Sequence, residues 1–157
     1  MMARSARVLT SALLVALCGI PRTASAALGG DAASVDVDRI HMQGALLRIE
    51  RTNAFTIHEV QSSTGIAIRE YVSPSGKVFA VAWNGPWMPD LRQLLGDYFD
   101  RFQRGADAAR RSRRGRGPLH VDDGELVAQI SGHARAFSGV VTVPRLTPTG
   151  MRADAIR

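Results

Sequence analysis

Between residues 55 and 83 three β-rich runs follow one another with only short turns between them. That spacing constrains the fold more than any other feature, because connections this short join antiparallel neighbours. Residues 55–61 and 66–72 flank the turn chemistry of Ser62, Ser63, Thr64 and Gly65, and Ser73, Pro74, Ser75 and Gly76 separate the second run from 77–83. In the third run strict alternation sets Phe79, Val81 and Trp83 on one face and Val78, Ala80 and Ala82 on the other. Both faces are apolar, so this strand belongs in the middle of a sheet. The second run mixes Ile66 and Ile68 with Arg69 and Glu70, which reads as one wetter face.

Asn84, Gly85, Pro86, Trp87, Met88 and Pro89 form a stiff connector into a helix expected over 90–104. Asp90 is the candidate N-cap, with Gln93 three residues on, and Leu91, Leu94, Leu95, Tyr98 and Phe102 repeat at helical spacing. Gly105 weakens the helix, which can run on through the alanines to Arg111. Two more strands are expected near 126–131 and 136–143. Upstream, Ser34 is a candidate cap for a short helix carrying Val35, Val37 and Ile40, and 47–50 a candidate strand. The reading is an α+β domain: an antiparallel sheet of about five strands packed by one amphipathic helix.

The start of the chain has the three parts of an export signal in order: Arg4 and Arg7, an apolar run over 8–20, and the small residues Ala24, Ser25 and Ala26. The run is shorter than the ~20 residues a membrane-spanning helix needs, and Pro21 and Arg22 end it. Cleavage is expected after Ala26, leaving 131 of the 157 residues as a single domain over 27–157. A lipoprotein signal ending at Cys18 fits less well, because Leu17 is bulky where a lipobox needs a small residue. Cys18 is the sole cysteine, so the mature domain has neither a disulfide nor a thiol nucleophile and rests on its core. No later segment is apolar enough to span a bilayer. The formal charge of +6 falls to +3 when Arg4, Arg7 and Arg22 leave with the signal.

Chemistry is sparsely marked. Arg110, Arg111, Arg113, Arg114 and Arg116 are interleaved with Ser112 and Gly115 in a flexible loop expected over 110–118, a candidate polyanion-binding segment. No aromatic residue interleaves with them to stack on bases, which argues against nucleic acid. Nineteen of the twenty basic residues are arginine, so the cluster partly reflects a bias of the whole chain. His41, His58, His120 and His133 lack metal-ligand spacing, and neither a metal nor a cofactor is expected. His58 and Glu59 alternate to opposite faces of a strand and cannot serve one substrate atom. His120 with Asp122 or Asp123 is the one local imidazole–carboxylate pairing, the geometry of a general base. No nucleophile elbow, phosphate loop or nucleotide fingerprint accompanies it. Trp83, Tyr98 and Phe102 read as core, while Trp87 and Met88, on the connector, are the candidate ligand or partner contacts.

The run Arg69, Glu70, Tyr71, Val72, Ser73, Pro74, then Gly76, Lys77, Val78, Phe79, Ala80, Val81, Ala82, Trp83, with Gly85, Pro86, Pro89, Asp90 and Leu91 after it, resembles a bacterial family of exported proteins known as domain of unknown function 2844. Ala27, Leu28, Gly29 and Gly30, together with Arg135, Ala136, Phe137 and the closing residues Ala153, Asp154, Ala155, Ile156 and Arg157, extend the resemblance over almost the whole mature chain. It implies an exported single domain and carries no assigned activity; the arginine-rich stretch fits it least. The functional expectation is a non-catalytic periplasmic or secreted module that binds a partner, such as an envelope protein. A small envelope hydrolase using His120 and Asp122, or a polyanion binder through the arginines, is the alternative.

Overall fold

The computed structural model describes residues 28–112, 117–151 and 156. Seven strands form one antiparallel sheet: β1 (Ala45–Arg51), β2 (Thr56–Gln61), β3 (Ala67–Val72), β4 (Val78–Gly85), β5 (Leu119–Asp122), β6 (Val127–His133) and β7 (Ala136–Thr142). Their spatial order is β1-β2-β3-β4-β7-β6-β5. The meander supplies the first four strands. The chain then crosses the sheet, starts again at the far edge, and returns through two hairpins to pair β7 with β4. The expected five strands are thus seven. The two beyond the count are the edges β1 and β5, where only one neighbour need be satisfied and a short or half-wet strand suffices.

Three helices lie on one side of this sheet: α1 (Ser34–His41), α2 (Leu91–Leu95) and α3 (Phe99–Ser112). Asp90 caps α2, its side chain accepting from the backbone N–H of Arg92 and Gln93. The expected single helix over 90–104 is interrupted at Gly96, whose φ of 48° and ψ of −122° are open to glycine and close the first helix. One 3₁₀ turn, Gly96–Tyr98, then re-aims the chain into α3. Leu94, Leu95, Tyr98, Phe102 and Ala106 all reach the core. Gly105 does more than weaken α3: a Cβ there would overlap the Val121 Cγ1 methyl, so its bare backbone lets the helix lie directly on β5. Because α3 runs on to Ser112, Arg110 and Arg111 stand on its last turn rather than in a loop; Arg113, Arg114 and Arg116 lie outside the described residues.

The alternation expected in β4 is broken by a register shift against β3 between Tyr71 and Val72. Val78, Val81 and Trp83 therefore join the helix-side core, while Phe79, Ala80 and Ala82 face the other way. On that second face the rings of Phe55, Tyr71 and Phe79 pack with centroids 5.8 to 6.2 Å apart, and Ile156 packs on the same cluster. Among the described residues no helix is long and apolar enough to cross a membrane.

Candidate functional site

Strand alternation places Glu70 between Ile68 and Val72 on the helix-side face, so the strand's acid lies on its most apolar side. It is 1 % exposed. One face of α1 carries Ser34, Val35 and Asp38 into the same layer, and Asp38 is also 1 % exposed. Gln93 of α2 donates from Nε2 to Asp38 Oδ1 at 2.7 Å, which ties the two helices together over the sheet. Ala33 takes the N-cap position of α1 without a side-chain bond; Ser34, the expected cap, lies inside the helix with its Oγ buried and unpartnered among the described residues.

The two carboxyls lie within hydrogen-bonding reach of each other. No donor among the described residues faces either oxygen of Glu70 or the Oδ2 of Asp38. Two carboxylates can satisfy one another only if one keeps its proton. Burial pushes Asp38 up to about 6, opposed by the bonds from Gln93 and Glu70 and by the charge of His41. Burial likewise pushes Glu70 well above the carboxylate range, and the charge and hydrogen bond of Asp38 push it in the same direction. Glu70 is therefore the proton carrier and Asp38 the acceptor. His58 sits directly opposite Glu70 in the β2–β3 register, and burial lowers its affinity for a proton. The arrangement is a proton-sharing pair under a helix, closed to substrate.

Two surface cavities flank this core. One, of about 430 Å³, is lined by Trp87, Met88, Pro89 and Asp90 of the connector together with Met42 and Ile66, and by the polar residues His41, Gln43 and Ser62 to Thr64. Trp87 is 55 % exposed and Met88 40 %. The other, of about 500 Å³, is strongly charged, with Lys77, Asp97, Arg101, Glu125 and Arg145 around Leu28 to Gly30. Its cations are already engaged: Lys77 with Asp31, Arg101 with Asp123 and Glu125, and Arg145 with the Tyr98 hydroxyl.

His120 and Asp122 share the outward face of β5, and both are exposed. Neither lines the two cavities just described. Asp122 Oδ1 accepts from the Gly124 N–H, while Asp123 accepts from the Glu125 and Leu126 N–H groups and from Arg101. Both acids are committed to the β5–β6 turn. Of the arginines, Arg110 pairs with Asp107 within α3 and Arg111 is exposed. Among the described residues no group of three or more His, Cys, Asp or Glu could hold a metal ion.

Fold and site together define an α+β domain built on one seven-stranded antiparallel sheet, with a buried carboxyl pair beneath its first helix. The chain belongs to the family described as protein of unknown function DUF2844, whose model matches residues 24–156. No curated protein and no solved structure is detectably similar to it.

Proposed function

We propose that this chain is an exported bacterial module, periplasmic or secreted, that binds a partner protein of the envelope without catalysing a reaction on it. The observation that carries the reading is the connector groove: an indole and a thioether stand exposed beside a cavity of about 430 Å³, where a solitary domain would gain by burying them. Trp is the residue most often found anchoring protein interfaces, and Met adapts its shape to what it meets. The groove fits an apolar side chain of the partner among Trp87, Met88, Met42 and Ile66.

Export is supported by the order of charge, apolar run and small residues at the start of the chain and by a family match that begins at residue 24. A hydrolytic reading through His120 has less support, because Asp122 and Asp123 already hold a turn.

The test is recovery of partners from envelope extract by the tagged full-length gene product, at low and moderate salt, beside the double variant Trp87→Ala/Met88→Ala. An envelope protein retained at both salts by the parent and lost by the variant supports the groove. Equal recovery by both proteins refutes it, and recovery of only polyanions, lost at moderate salt, transfers the function to the arginines.

A further inference from the structure

Five of the large apolar side chains that remain exposed belong to a single stretch of chain: Val37 and Ile40 on α1, and Leu46, Leu47 and Ile49 on β1. Ile40 is 67 % exposed and Leu47 58 %. Every residue of β1 is exposed, and the strand has a neighbour on one side only. At the opposite edge of the sheet, β5 has α3 packed on its Val121 face. At β1 a register shift lies between Leu46 and Arg48, so the regular part of the open edge is short and centres on Ile49. An open edge with apolar side chains is a template for another strand.

The charges on this strand say which strand. Arg48 and Glu50 flank Ile49 on the face away from the helices, opposite Glu59 and Ile57 of β2. Within the strand Arg48 and Glu50 pair at 2.9 Å; when β1 runs antiparallel to a second β1 with Ile49 on the two-fold axis, each Arg48 also meets the Glu50 of the other copy, twice over. On the helix side Ile49, which lies opposite His58 in the register, meets its own equivalent. The pattern is self-complementary, as an isologous interface requires. We infer that the protein pairs with a second copy of itself through β1, joining two seven-stranded sheets edge to edge about an axis at Ile49. The pairing uses β1 itself and none of the residues that line the connector groove.

The experiment uses the full-length gene with Cys18→Ser, which leaves no cysteine, and single substitutions Leu47→Cys, Arg48→Cys, Ile49→Cys and Glu50→Cys. Residues facing one another across an antiparallel pair have Cα atoms roughly 4.5–5.5 Å apart, within disulfide reach. Ile49→Cys is expected to form covalent dimers on mild oxidation at least several-fold faster than its neighbours. Sedimentation should give twice the chain mass for the parent and the monomer mass for Ile49→Lys, with circular dichroism unchanged because the site is on the surface. A monomeric parent overturns the inference. So does a dimer that survives Ile49→Lys in folded form, or cross-linking that peaks at another position.

Discussion

Asp38→Asn should make the stability of the domain much less dependent on pH, and the size of the effect follows from the buried pair. The folded protein holds the Asp38 proton up to about pH 6, against an ordinary 3.8. Below 3.8 the carboxyl is protonated whether the chain is folded or not. As pH rises through the interval, the unfolded chain releases the proton while the folded chain retains it, so stability falls until the folded group also ionises near 6. Roughly two pH units at about 1.4 kcal/mol each amount to about 3 kcal/mol lost between pH 4 and 7. Glu70, raised in the same direction, extends the loss to higher pH. Asparagine keeps an oxygen for the Gln93 amide and offers an N–H to Glu70, so it preserves the contacts and removes the titration. His58 has the opposite sign: its proton is held less tightly when folded, so its contribution grows as pH rises toward its ordinary value. That slope is common to both proteins and cancels in their difference, as do smaller effects of the charges at Asp36 and Arg51 on His58. Urea unfolding from pH 4.5 to 8 measures the outcome, with Trp83, 3 % exposed, as the fluorescent reporter of the core. The variant should gain about 2 kcal/mol on the parent across that range, the share of the Asp38 titration that falls above pH 4.5. Parallel pH curves for the two proteins would refute the proton-sharing arrangement.

Three further expectations concern the frame around the site. Asp90→Ala removes the acceptor for two N–H groups of α2 and should cost about 1 kcal/mol, read as a lower urea midpoint at an unchanged slope. Gly105→Ala gains helix propensity of about 1 kcal/mol, yet its methyl meets the stiff, buried Val121; the overlap should win and leave the protein destabilised by about 1–2 kcal/mol. A gain in midpoint would show that α3 can lift from β5 freely. Asp123→Ala should weaken the β5–β6 turn at pH 7. Arg101 and the Leu126 and Glu125 N–H groups hold that carboxyl below its ordinary range despite some desolvation, so its contribution is present above about pH 4 and fades in stronger acid. Amide exchange of Leu126 at pH 7 and at low pH reads this directly.

The centre of the fold was legible because three signals agreed there. Turn residues at Ser73 to Gly76, apolarity on both faces of β4 and the cap at Asp90 each act locally, and each is visible in a few consecutive residues. The errors sit where a local pattern met a tertiary demand. Strict alternation put Phe79 with Trp83, but the register shift beside Val72 reversed that half of the strand. A continuous apolar stripe from Leu91 to Phe102 read as one helix, yet reaching from α2 to β5 requires the turn at Gly96. β5 escaped notice since its four residues follow an arginine- and glycine-rich stretch, and its alternation of Leu119 and Val121 with His120 and Asp122 is too short to register.

The carboxyl pair was hidden for a more instructive reason. Glu70 beside Arg69 looks like a wet pair of residues, and an averaged polarity treats it so. Alternation says otherwise, because Glu70 shares its side with Ile68 and Val72, and Asp38 shares a helical face with Val35. An acid in phase with apolar neighbours carries a real cost of burial unless something meets it. Two such acids, far apart in sequence and each out of place on its own element, meet that cost by sharing a proton, and Gln93 adds a bond to the acceptor. The consequence is directional: α1 is held most firmly in mild acid and least firmly above neutral pH. The helix so held leads into β1 within four residues, from His41 to Ala45, so the pairing of two copies should weaken with the same pH profile, and in Asp38→Asn that dependence should flatten together with the stability curve.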